Sequence, residues 1–179
     1  MLINTQSVSD AAWRLRVILG TIAVVHVVFI LGLIVAAFWN PAFVGDTLGA
    51  WAGYENGERM MWQNFALVAM ACVGLFMWAM MLTLAARVFG QIADGEVDEA
   101  ATIARRLTLW FWAMFVLALL SPMILSVIST WHMPEGQKEL SLALNSGQLS
   151  LALSALITGC MARALAVGAE LWREHREVV

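Results

Sequence analysis

Residues Val17–Trp39 read VILGTIAVVHVVFILGLIVAAFW. The stretch carries no charge and one histidine, His26, near its middle. At 1.5 Å per residue it makes roughly 34 Å of helix, enough to cross a hydrocarbon core of about 30 Å with some tilt. Inside lipid every backbone N–H and C=O must find its partner within the segment, so such a stretch crosses as a helix. Three later stretches repeat the pattern, at 61–86, 107–130 and 148–169. The sequence therefore predicts an all-α polytopic membrane protein, a four-transmembrane-helix bundle whose single membrane domain covers 1–179.

Composition points the same way. Of 179 residues, 61% are hydrophobic and 13% charged, and the mean hydropathy is +0.79. Soluble domains carry about 25% charged residues. Too few polar side chains remain here to cover a water-soluble globule. The ten Lys and Arg stand mostly at helix ends and form no basic patch, so direct nucleic-acid contact is not expected. Cys72 and Cys160 both fall inside spans, which leaves no disulfide framework and no CxxC site. Arg14 and Arg16 precede an apolar run longer than the roughly 7–15 residues of a cleaved signal, so the first span is read as retained.

The connections follow from local chemistry. Asn40-Pro41 ends the first span, because a residue before proline leaves the helical region. In the outer connection, 40–60, Val44, Leu48 and Trp51 recur at helical spacing. Either a short amphipathic surface helix or a glycine-rich loop dipping aromatics into the headgroups fits them. The methionines of the second span are deformable packing material. In the connection 87–106, Asp94-Gly95 signals a turn, and Asp98 and Glu99 suit the positive end of a helix leading into the third span. Pro122 removes one hydrogen bond from that span, predicting a kink near Ala118–Ser121, with Ser121 and Ser126 as partners for the freed backbone. The outer connection 131–147 contains Leu140–Leu144, too short to span. The fourth span has Ser150, Ser154, Thr158, Gly159 and Arg163, and its small and hydroxyl residues predict the best-buried helix. The charged tail is 170–179.

Charge distribution sets orientation. Arg14, Arg16, Arg87, Arg105, Arg106, Arg163, Arg173 and Arg176 fall on one side, and Arg59 and Lys138 on the other. The positive-inside bias places both termini and 87–106 in the cytoplasm, N-in and C-in, as expected for a multi-pass protein of a bacterial inner (cytoplasmic) membrane. Trp110, Trp112 and Trp172 would line the inner interface and Trp131 the outer one. Arg163 would snorkel outward as an anchor.

For chemistry, His26, Cys72 and Cys160 share a level near the bilayer centre, counted along each span. Imidazole and thiolate are good ligands for zinc, copper or iron. Equally, buried cysteine behaves as a small hydrophobe, and a neutral histidine would be satisfied across helices by Ser154 or Thr158. A bis-histidine haem would need a second deep histidine, and His132 and His175 lie at opposite ends of the protein, so it would have to come from another protomer. No nucleophile–base pair, phosphate-binding glycine loop, HExxH motif or pair of facing intramembrane carboxylates is present in the sequence. Neither catalysis nor a cofactor is expected.

Two motifs carry a family resemblance. Phe89-x-x-Ile92-x-x-Gly95-Glu96 is followed by Ala100-x-x-Ile103-x-x-Arg106-Leu107, and Ala164-Leu165-x-x-x-Ala169-Glu170-Leu171-x-x-Glu174 closes the chain. In these the sequence resembles a bacterial family of small four-helix integral membrane proteins of unknown function, often encoded beside an Xre/Cro-type helix-turn-helix regulator. Val97 stands where that family usually has a second phenylalanine, and His175 where it usually has asparagine. The resemblance implies a non-enzymatic membrane regulator or sensor that binds a small transcription regulator. The cytoplasmic acids Asp94, Glu96, Asp98, Glu99, Glu170 and Glu174 would then dock a basic DNA-binding domain in competition with DNA. Otherwise they simply solvate loop ends. A metal- or haem-binding redox protein using His26, Cys72 and Cys160 is one alternative. An accessory subunit or assembly factor, as a homo-oligomer or within a larger membrane complex, is the other.

Overall fold

Apolar length dictates the elements. A computed structural model describes residues 5–51, 60–131 and 145–177. In chain order these form α1 (Thr5–Trp39), α2 (Pro41–Trp51), α3 (Met61–Asp94), α4 (Val97–Thr130) and α5 (Ser146–Glu177), with no strand among the described residues. Four of them hold stretches long and apolar enough to cross a membrane: Val8–Trp39, Met61–Asp94, Val97–Ile128 and Ser146–Leu171. The Leu140–Leu144 fragment, His132 and Lys138 lie outside the described residues.

The break between α1 and α2 is a single residue. Asn40 leaves the helix, its Oδ1 accepts from the Phe43 N–H at 3.2 Å, and Pro41 occupies the first turn, where its missing N–H costs nothing. Of the two readings open for this region, the helix is observed. Val44 and Leu48 face inward, against Leu33 and Ala37 of α1 and Val68 and Cys72 of α3.

The stretch 87–106 is helical throughout except at Gly95 and Glu96. Both flanking helices therefore run well past their apolar cores. Gly95 takes φ +81, its N–H donates to Ile92 O at 3.2 Å, and the Glu96 N–H donates to Gln91 O at 2.8 Å. That pair of bonds is a Schellman stop, and it needs the left-handed conformation that glycine adopts without a Cβ clash. The Ala100 N–H then donates to Glu96 O at 3.0 Å and opens α4, with Asp98 and Glu99 in its first turn.

The four long helices stand in an open row. α1 packs on α3, α3 on α4 and α4 on α5, while no contact joins α1 to α4 or α5, or α3 to α5. α2 tucks against the α1–α3 pair at the end away from the Gly95 turn. Because lipid tails are as apolar as leucine, helices join in a membrane through close packing and hydrogen bonds rather than hydrophobic burial. The seams are built accordingly. α5 buries Gln148, Ala155, Ala162 and Ala169, one residue every two turns, and α4 answers with Ala100 and Ala104.

α3 is the most buried of the four, with 22% of its apolar stretch buried, against 17% for α5 and 6% for each of α1 and α4. The expectation that the fourth span is best buried is thus corrected. Its hydroxyls serve its own backbone: Ser154 Oγ donates to Ser150 O at 2.8 Å, and Thr158 Oγ1 to Ser154 O at 2.7 Å. A hydroxyl satisfied within its own helix does not need a neighbour.

Two buried glutamines tie the row to α4. Gln148 Nε2 donates to Ala118 O at 2.8 Å, and Gln63 Nε2 donates to Ile128 O at 2.6 Å. Each uses its Oε1 to accept from the start of its own helix, at the Asn145 N–H (2.9 Å) and the Met60 N–H (2.7 Å) respectively. Ser121 Oγ also reaches Ala118 O at 3.1 Å, as expected, and Ser126 Oγ donates to Met123 O at 2.9 Å.

Candidate functional site

The polar chemistry of the chain concentrates at the end of the row that carries the Gly95 turn. Four helix ends meet there. Ser9 Oγ of α1 donates to Ala93 O of α3 at 3.2 Å, and Arg16 Nη1 lies 3.9 Å from Asp94 Oδ2. Val88 of α3, Ala100 and Ala104 of α4 and Ala162 of α5 form one buried cluster beneath the turn, with Ile92, Ile103 and Leu165 around it. Alanine at the contacts lets the backbones approach closely and fixes the ends of three helices relative to one another.

This frame holds the acids. Asp94, Glu96, Asp98 and Glu99 are all exposed around the two-residue connection. Glu170 and Glu174 are exposed on α5, about two and three turns beyond Ala162, at the same end. The structure thus brings the six acids to one end of the molecule, on helix termini rather than on a floppy loop. Carboxylates at that spacing can present a negative face to a basic partner; they do not converge on one point, and among the described residues no group of three or more His, Cys, Asp or Glu could hold a metal ion.

His26, Cys72 and Cys160 are not brought together within the chain. His26 lies on α1, with Nδ1 2.9 Å from Ile22 O, one turn back along its own helix. Cys72 packs in the corner among α1, α2 and α3, and Cys160 is exposed on α5, which does not touch α1. Counting residues along each span gives a shared depth, but depth does not make helices neighbours.

The anchoring residues divide. Arg163 is exposed, Trp131 is exposed at the end of α4, and Trp112 is partly exposed with its ring edge-to-face on Phe115 at 5.7 Å. Trp110 instead packs partly into the α3–α4 seam beside Met81, Leu84 and Leu107. Trp172 lies in the last turns of α5.

Gln63 and Gln148 carry no sequence mark of their bonds to α4. What the sequence does show is the helix-start pattern, with glutamine three residues after the capping position. The crossing of Arg16 over Gly90 is equally unmarked in the sequence. A Cβ on Gly90 would stand 3.2 Å from Arg16 Cδ, so the arginine lies flat on α3 where the side chain is missing. No family model, curated protein or solved structure matches this chain.

Proposed function

We propose that this chain is a non-catalytic integral membrane protein, a regulator or sensor of a bacterial inner membrane, that holds a small basic cytoplasmic protein against its acidic end. The observation that supports this reading most directly is the placement of Asp94, Glu96, Asp98, Glu99, Glu170 and Glu174 on one end, framed by the Gly95 turn and the alanine cluster. That this end also carries more arginines than the opposite one, eight basic residues against two, supports placing it in the cytoplasm. A helix-turn-helix DNA-binding domain, the partner implied by the sequence resemblance, offers a basic face of matching sign. Charge complementarity of this kind sets association rate and partner choice, and salt weakens it.

Photo-crosslinking from positions 99 and 170 of the full chain in the native host tests the reading. A soluble basic protein is expected in the adduct, lost at high salt and in Glu96→Lys/Asp98→Lys. Failure of both positions to give such an adduct would remove the proposal. Adducts with integral subunits would support the accessory-subunit reading, which the open row favours, since α1 and α5 each have one long-helix neighbour.

A further inference from the structure

An open groove of about 480 Å³ runs between α1 and α3. Its two ends differ in chemistry. Toward the Gly95 turn it is lined by Arg16, Arg87, Gln91 and Asp94. Toward the middle of the helices its walls are Ala23, Val24, Val27 and Val28. From Arg16 to Val28 the helix rises roughly 18 Å.

The charged end is positive on balance. Arg16 is spread over Gly90, and its contact with Asp94, at 3.9 Å, is long and more than half exposed on both sides. Such a pair holds weakly in water and yields to a better anion. Arg87 is exposed and has no ion-pair partner among the described residues. Two arginines and one aspartate therefore line this end of the groove. Arg16 is the last charge before the apolar run of α1, and Arg87 the first after that of α3. Both stand where a bilayer places its phosphates, about one headgroup layer from the hydrocarbon. The floor is open as well: a Cβ on Gly20 would meet nothing within 4 Å.

We propose that this groove binds a phospholipid with an anionic headgroup. Arg16 and Arg87 chelate the phosphate, for which planar guanidinium donors are suited. One acyl chain lies over Gly20 and along Val24, Val27 and Val28. Asp94 disfavours the extra negative charge and tunes affinity. The inference requires the membrane but not the partner protein proposed above.

The test uses the full chain in mild detergent, offered equal amounts of dioleoyl phosphatidylglycerol and dioleoyl phosphatidylcholine, with retained lipid counted by native mass spectrometry. Phosphatidylglycerol is expected to be retained in preference. Arg16→Gln/Arg87→Gln should lower its retention about fivefold or more, as for loss of charge-assisted hydrogen bonds at a partly exposed site. Gly20→Leu fills the trough without touching a charge and should have a similar effect, and it serves if the arginine variant does not fold. Asp94→Asn should raise retention, and Arg105→Gln, outside the groove, should leave it unchanged. Equal retention of the two lipids, or no loss in both Arg16→Gln/Arg87→Gln and Gly20→Leu, would overturn the proposal. So would displacement by excess glycerol 3-phosphate, which would mark a site for free phosphate instead.

Discussion

The side-chain amide of Gln148 donates to the carbonyl of Ala118, the one α4 carbonyl left without an intrahelical partner by Pro122. Proline has no N–H to return to the residue four before it, and an unpaired carbonyl in lipid is costly. Gln63 does the same at Ile128, whose partner would lie beyond the end of α4 at Thr130. Both glutamines thus fill gaps that the geometry of α4 creates.

Replacing Gln148 with leucine should cost about 1 kcal/mol, the scale of interhelical hydrogen bonds in membranes. Ser121→Ala alone should cost less, because Gln148 still serves the carbonyl. The pair should exceed the sum of the singles, since residues sharing one acceptor couple. Pro122→Ala returns an N–H to Ala118 and should reduce the cost of Gln148→Leu to the loss of its bond from the Asn145 N–H. Thermal unfolding in detergent reads all four. Additive losses would show that the two donors do not share this acceptor.

Gly45 of α2 faces the side chain of Asn64, which fills the space a Cβ would need. Asn64 is buried, and its Oδ1 has no hydrogen-bond partner. Gly45→Ala should therefore cost about 1–3 kcal/mol, as overpacking does. Asn64→Ala makes room and removes an unsatisfied buried group, so the double variant should recover most of the loss. A double-mutant cycle on melting temperature checks this, and no recovery would refute the contact.

Gly95→Ala forces a Cβ into the left-handed region at φ +81 and should destabilise by about 1–2 kcal/mol. Gly95→Asn should cost less, since asparagine tolerates that conformation. Equal losses for the two would mean that this backbone geometry is not the cause.

Much of this was legible in the sequence for a physical reason. The hydrocarbon thickness fixes the length of an apolar run, and Asn40-Pro41 and Asp94-Gly95 terminate helices by local chemistry alone. Even the seam on α5 is visible as Ala155, Ala162 and Ala169 at intervals of seven. What faces that seam is not visible, because alanine fits any close-packed helix. The same holds for Gln63 and Gln148, whose acceptors are backbone carbonyls without a sequence signature of their own. Adjacency was therefore the hidden variable, and with it whether His26, Cys72 and Cys160 meet. Four of the six acids, Asp94, Glu96, Asp98 and Glu99, were easier to place together, because the turn that joins α3 and α4 is local.

Helix order itself is testable by cross-linking. A Cβ on Gly159 would stand 3.5 Å from Thr108 Cγ2 across the α4–α5 seam, so side chains at the two positions are in contact. Thr108→Cys/Gly159→Cys, with Cys72→Ala and Cys160→Ala as background, should form an intrachain disulfide under mild oxidant, read as a mass loss of about two hydrogens per chain by the loss of both thiols. His26→Cys beside native Cys160, with Cys72→Ala, should not, because α1 and α5 share no contact. If the 26–160 pair cross-links within a monomer while the 108–159 pair does not, the row is closed differently and the histidine and cysteines do converge. The reverse result leaves the histidine isolated on α1 and the two outer helices free to meet lipid or other subunits.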